Sequence, residues 1–278
     1  YLPILGLTLI NYSLRYLKWH YLLKQLGVHI PHRTNVWIFA TGLGMAVSPG
    51  KAGEIVKPYL VRICSGTRIT QTLPALIAER GTDGIAVVIL AALGVTTFLA
   101  EYSGSVFGTI AAIAAVLMLL SVRPFVVGCL ELLRPIPALG RITDRLLEAY
   151  EATRVCLAPA PFAVTMLLSL VAWFAECVGY WLVFRGLAHS VSLDVATFLY
   201  TFSTVFGAPS PGGVGMTDAA LTELAPQIIE GFSRPQALAA TLLIRVATLW
   251  FGVLIGVVAL FRMEQVIATG SSDRGEVV

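Results

Sequence analysis

The sequence predicts an all-α polytopic membrane protein made of two inverted-topology repeats, each carrying a re-entrant or discontinuous helix pair. Three observations predict it. Hydrophobic residues form 57% of the 278 and charged residues only 13%, against roughly a quarter charged in soluble domains. Long apolar runs at 85–100, 107–122, 164–183 and 238–261 approach or reach the roughly 20 residues that cross a bilayer as a helix. Finally, one Pro/Gly break occurs twice, as Ser48-Pro49-Gly50-x-x-Gly53 and Ser210-Pro211-Gly212-x-x-Gly215.

The elements follow in order. Residues 1–26 read as a first helix with a polar stripe of Asn11, Arg15 and Lys18. After a loop at 27–35, residues 36–65 form a broken pair. Each arm is too short to span, and the Pro/Gly break stops both within the membrane. Residues 72–100 form a long helix whose first turns hold Glu79, Arg80 and Asp83. A turn at 101–104 and a helix at 105–122 complete the first repeat, 1–122. The segment 123–161 is the one extended polar stretch, rich in Pro and charge, and is a cytoplasmic linker with an amphipathic helix at 141–154.

The second repeat covers 162–264. It has a spanning helix at 162–184 with Glu176, a broken pair at 195–231 and a last spanning helix at 235–261. A polar tail occupies 265–278. The chain begins at Tyr1 within an apolar stretch, so a preceding segment is expected.

The duplication extends beyond the breaks. Trp19 and Trp181 each lie 29 residues before the serine, and an intramembrane Arg follows each break, Arg80 and Arg245. Basic residues concentrate on the cytoplasmic side of membranes. Lys24, Arg33, Arg62, Arg68, the linker arginines and Arg262 set that side, leaving Arg185 and Arg234 outside as exceptions. The linker and C-terminus are then cytoplasmic, and the two halves enter the membrane with opposite orientation. Such inverted repeats are a recurring architecture of secondary transporters, with the substrate at the repeat interface. Duplication that merely builds a compact bundle is the competing reading.

Several classes drop out. A net charge of +3 spread along the chain gives no reason to expect nucleic acid. The four cysteines and four histidines form no metal-ligand spacing, so no metal or cofactor is expected, and buried thiols act as small hydrophobes. No Ser/His/Asp arrangement or phosphate loop indicates an enzyme.

The informative residues are ionisable groups in apolar segments: Arg15, Glu54, Lys57, Glu79, Arg80, Asp83, Glu176, Asp218, Glu223 and Arg245. Each costs about 2.5–3.5 kcal/mol at a helix centre unless paired or hydrated. Pairing that locks helices together, such as Glu176 with Arg15 or Arg245, competes with the lining of a polar cavity. A helix starting at Gly53 or Gly215 turns unpaired N–H groups toward the break. With Lys51, Lys57 and Arg80 nearby, that end suits an anionic group such as a lipid phosphate. Glu54 and Asp218 either cap these helices or meet a cationic head group.

These motifs resemble one family in its own order: Arg15-x-x-x-Trp19-x-x-Leu22-Leu23-x-x-x-Gly27, Ser48-Pro49-Gly50-x-x-Gly53-Glu54, Glu79-Arg80-x-x-Asp83, Glu176, and Pro211-Gly212-Gly213-Val214-Gly215. It is the lysylphosphatidylglycerol synthase transmembrane-region family, also described as flippase-like. The resemblance implies a multi-pass protein of the prokaryotic plasma membrane that moves an anionic or aminoacylated (glyco)lipid between leaflets. It implies no synthase activity, because the soluble transferase domain of the best-known member has no counterpart here. Met216-Thr217-Asp218 stands where the resemblance leads one to expect a Glu.

The expected site combines the charged residues Arg15, Lys51, Glu54, Lys57, Glu79, Arg80, Asp83, Glu176, Asp218 and Arg245 with Trp19 and the break residues Ser48, Pro49, Gly50, Gly53, Ser210, Pro211, Gly212, Gly213 and Gly215. Membrane lipids are the expected partners, with a second copy of the chain or an envelope-biosynthesis enzyme left open. The alternative function is a non-transporting accessory or lipid-binding subunit of an envelope glycolipid pathway; a membrane lipid-phosphate enzyme ranks third.

Overall fold

A computed structural model describes residues 1–48, 53–98 and 150–275. The expected break residues Pro49, Gly50 and Lys51, the turn at 101–104, the helix at 105–122 and most of the linker lie outside the described residues. Among those described there is no strand; residues 150–156 are helical, and nine further helices lie wholly within the described residues. They are α1 (Leu2–Gln25), α2 (His32–Gly44), α3 (Val56–Ser65), α4 (Ile69–Phe98), α5 (Pro159–Gly186), α6 (Leu193–Phe206), α7 (Met216–Ile228), α8 (Arg234–Arg245) and α9 (Phe251–Gly275).

Among the described residues two helices are long and apolar enough to cross a membrane: Pro159–Gly186 and the continuous stretch Arg234–Gln265. The latter joins α8 to α9 through a π-helical turn at Val246–Trp250. Within the expected polar tail, residues 265–275 continue α9 as helix.

The surface and interior are inverted relative to a soluble protein. Leu2, Leu93, Leu167, Leu242, Leu254 and Phe261 point outward, while Asn11, Lys18, Lys57, Glu79 and Asp83 are buried. Only a solvent of hydrocarbon makes that partition favourable.

Helices α1 and α5 begin with Pro in the first turn, where the missing N–H would be unpaired anyway. They also end alike. The N–H of Val28 bonds to the Leu23 carbonyl and that of His189 to the Phe184 carbonyl, both at 3.0 Å. The residue at the left-handed position is Gly27 (φ 70) in the first and Ala188 (φ 59) in the second.

At the first break Ser48 Oγ donates to the Met45 carbonyl at 2.7 Å and accepts the Gly53 N–H at 2.7 Å. It thereby ties the end of α2 to the approach to α3. Ser210 Oγ makes the matching bond back to the Gly207 carbonyl, 2.9 Å. Beyond it the 3₁₀ turn Pro211–Gly213 leads to Gly215, whose N–H donates to Asp218 Oδ2 at 2.9 Å. Helices α2, α3, α6 and α7 have 10 to 14 residues, about 15–21 Å at 1.5 Å per residue. None reaches across a core of about 30 Å alone.

Helix α1 packs on α5, α2 on α9, and α4 on α6. At the α2–α9 crossing Gly256 lies directly against the backbone of Gly44; at α4–α6 a Cβ on Gly94 would meet the Asp194 carbonyl oxygen at 2.9 Å. Gly94 and Gly256 stand 162 residues apart, as do Trp19 and Trp181. Two apolar cores result. One joins Leu90, Tyr180, Phe184, Leu199, Leu221 and Ile244; the other joins Trp19, Leu22, Ile38, Phe39, Val61 and Met263. Each therefore takes a helix segment from the opposite half of the chain. Cys156 is buried in the second core, and burial pushes its thiol up to about 12, so it packs as a neutral hydrophobe.

Ala188 holds a backbone conformation that costs an L-residue roughly 1–2 kcal/mol. Ala188→Gly relieves this against a gain in unfolded-state freedom, so a net stabilisation of about 0.5–1 kcal/mol is expected. Thermal unfolding in detergent measures it, and a lowered midpoint would contradict the assigned cap.

Candidate functional site

The site is assembled around two turns of α4. Glu79, Arg80 and Asp83 sit at i, i+1 and i+4, which presents both carboxylates to the bundle and places Arg80 beside them. Glu79 Oε2 receives Lys57 Nζ at 2.5 Å, and its Oε1 lies 3.3 Å from Arg80 Nη2 and 3.9 Å from Arg15 Nη2. Arg80 Nε reaches Glu54 Oε2 at 2.6 Å. Asp83 pairs with Lys18, lies 3.7 Å from Arg15 Nε, and accepts Ser169 Oγ at 3.0 Å. Lys18 also donates to Ser169 Oγ at 2.7 Å and to the Glu79 carbonyl at 3.1 Å. One continuous ionic network thus joins α1, α3, α4, α5 and the end of the first break.

Lys57 shows how the surroundings support it. Its ammonium lies 4.6 Å from the Trp19 ring centroid and 5.4 Å from that of Phe39, an arrangement that stabilises a desolvated cation. Trp19 Nε1 donates to Asn35 Oδ1 at 3.0 Å, fixing the ring.

A smaller polar group comes from the second half. Arg245 Nε lies 2.7 Å from Asp218 Oδ1, and its Nη2 donates to the Gly212 carbonyl at 2.7 Å. The positive φ of Gly212 and Gly213 shapes the turn; a side chain on Gly213 would meet Thr217 and approach Arg245. Glu176 Oε2 accepts the Tyr200 hydroxyl at 2.6 Å. Tyr12 donates to the Thr248 carbonyl inside the π turn.

Between these groups lies a cavity of about 110 Å³, lined by Tyr12, Arg15, Leu43, Ala46, Glu54 and Arg80 from one half. The other half contributes Trp173, Glu176, Tyr200, Thr204, Gly207, Gly212, Gly213, Arg245 and Thr248. A water needs only about 10–15 Å³ on this measure, so the space holds several waters or one phosphate-sized group.

Of the expected residues, Arg15, Glu54, Arg80, Glu176, Gly212, Gly213 and Arg245 line the cavity. Lys57, Glu79, Asp83 and Asp218 hold the lining residues through ion pairs. Trp19 is fully buried in the core and acts through Lys57. Ser48, Gly53, Ser210, Pro211 and Gly215 shape the two breaks. Glu223 instead forms an exposed pair with Arg234 at 2.5 Å. The pairing of Glu176 with Arg15 or Arg245, which competed with a cavity-lining role, does not form; Glu176 instead accepts the Tyr200 hydroxyl. Lys18, Tyr12, Tyr200, Trp173 and Ser169 were not among the expected site residues. Lys18 stood on the polar stripe of the first helix; an isolated Tyr or Ser gives no comparable signal.

The fold and site define a helical membrane protein with a buried ionic network and a polar cavity shared by the two halves of the chain. The chain belongs to the lysylphosphatidylglycerol synthase TM region family, whose profile matches residues 1–256. This places it among membrane proteins associated with lipid handling. Comparison with curated proteins and with solved structures gives no significant match.

Removing one partner of a buried ion pair costs about 3–5 kcal/mol, because the other charge is left uncompensated. Glu79→Gln is therefore expected to destabilise by that amount, and Glu79→Gln combined with Lys57→Met to recover most of it. Denaturant unfolding in micelles tests this, and a loss for Glu79→Gln below about 1 kcal/mol would mean that water already screens the network.

Proposed function

We propose that the chain is a flippase-like protein of the prokaryotic plasma membrane, which binds an anionic or aminoacylated (glyco)lipid and carries its head group between leaflets. Its two halves act as inverted repeats, each contributing a re-entrant pair, and the linker and C-terminus face the cytoplasm. The carrying observation is the convergence of Arg15, Arg80 and Arg245 on one cavity beside both breaks. Arg15 is the most available of the three: its ion pairs are 3.7 and 3.9 Å long, and its buried Nε has no hydrogen-bond partner. A guanidinium held in this way suits a phosphate oxygen, which it meets with charge-assisted hydrogen bonds.

The packing supports the repeat. Exchanging the halves converts the α2–α9 contact into α4–α6 and leaves α1–α5 in place. The matched caps after α1 and α5 agree with that exchange. The cavity's size fits a mechanism in which the phosphate enters while the acyl chains stay in the bilayer. Entry and exit then proceed by rocking one half against the other, as in other inverted-repeat carriers.

In vesicles reconstituted with the protein, fluorescent phosphatidylglycerol is expected to become accessible to an impermeant quencher faster than in protein-free vesicles. A buried charge-assisted contact contributes about 1.5–3 kcal/mol, so Arg15→Ala and Arg245→Ala should each slow this by about ten- to a hundredfold. Equal rates with and without the protein would favour the accessory, non-transporting reading.

A further inference from the structure

Five carboxylates belong to the cavity wall and its ion pairs among the described residues: the buried Glu54, Glu79, Asp83 and Glu176, and the partly exposed Asp218. Four of them are within 4 Å of a lysine or arginine nitrogen. Glu176 alone is not; it is buried on the cavity wall and held by the neutral Tyr200 hydroxyl. The groups that face it are Tyr12 and Arg15 of α1, Asp83 of α4, Tyr200 of α6 and Arg245 of α8.

The charge count makes this isolation consequential. With Glu176 ionised, the five carboxylates balance Arg15, Lys18, Lys57, Arg80 and Arg245. A phosphodiester entering the cavity adds one negative charge to a poorly hydrated interior, where an uncompensated charge is strongly unfavourable. Four of the carboxylates cannot neutralise it without breaking an ion pair. Glu176 can, by taking a proton, and its other oxygen still accepts the Tyr200 hydroxyl afterwards.

We propose that Glu176 is a proton-binding site coupled to head-group entry: one proton binds its carboxylate as one phosphodiester engages Arg15 and Arg245, and both leave together. The single bond formed is O–H on Glu176, with the proton drawn from water on the side of entry. Loading is electroneutral, so a proton gradient drives an anionic lipid and the membrane potential does not. The direction of movement rests on the translocation reading above; the binding stoichiometry does not. A cationic head group would instead place an ammonium on Glu176 and take up no proton.

The test uses the purified full chain in detergent, dihexanoylphosphatidylglycerol and a pH indicator in weak buffer, scanned over roughly pH 6 to 9, where buried carboxylates titrate. About one proton should be taken up per lipid bound, with affinity falling about tenfold per pH unit once free Glu176 is ionised. Glu176→Gln should bind without uptake and with a flat pH profile, whereas Glu176→Asp should keep the uptake and so control for misfolding. No uptake at any pH, or uptake unchanged in Glu176→Gln, overturns the proposal. Uptake without transbilayer movement in vesicles removes the translocation reading alone, and movement without uptake removes this one alone. Absence of binding removes the phosphate site on which both stand.

Discussion

The ion pairs that Glu79 and Asp83 make with Lys57 and Lys18 hold the first half of the molecule together. Neither lysine can be solvated where it lies, and neither carboxylate tolerates burial alone. Short helices such as α3, with 10 residues, have little apolar surface to anchor them, and hydrocarbon gives no hydrophobic drive for helices to associate. Electrostatic pairing in a medium of low dielectric supplies the specificity that packing alone lacks. Arg15 belongs to the same network but holds its partners loosely, which leaves it facing the cavity. The structural charges and the cavity-facing charge are thus parts of one system.

The sequence made the class, the helix breaks and much of the candidate site legible, for reasons that differ by residue. Intramembrane charges such as Arg80 and Asp83 stand out because hydrocarbon penalises them wherever they point. The breaks stand out because Pro and Gly are rare together within apolar runs. Tyr12 and Tyr200 carried no such mark, since a tyrosine in a membrane helix is compatible with an interfacial anchor, a core ring or a cavity wall. Lys18 showed itself as polar, but its position directly beneath Asp83 depends on how α1 crosses α4. Which partner each charge takes is a property of tertiary packing, and Glu176 illustrates the point. Arg15 and Arg245 were reasonable partners by charge, yet a neutral hydroxyl occupies that place.

The two apolar cores give the halves a shared dependence. Met263 of α9 completes the core built mainly on α1 to α4, and Leu90 of α4 enters the one built on α5 to α8. Neither half buries its own short helices unaided. Helices α4 and α9 thus tie the two cores together, with the glycine crossings at Gly94 and Gly256 as places of close backbone approach.

The π turn at Val246–Trp250 has a geometric consequence. A π turn accommodates one residue more than the α-helix does, which offsets everything downstream by about 100° around the helix axis. The same continuous rod can then aim the guanidinium of residue 245 inward and still set a glycine eleven positions later flat against α2. Shortening this segment by a single residue would leave the rod intact while swinging one of those two faces toward the acyl chains.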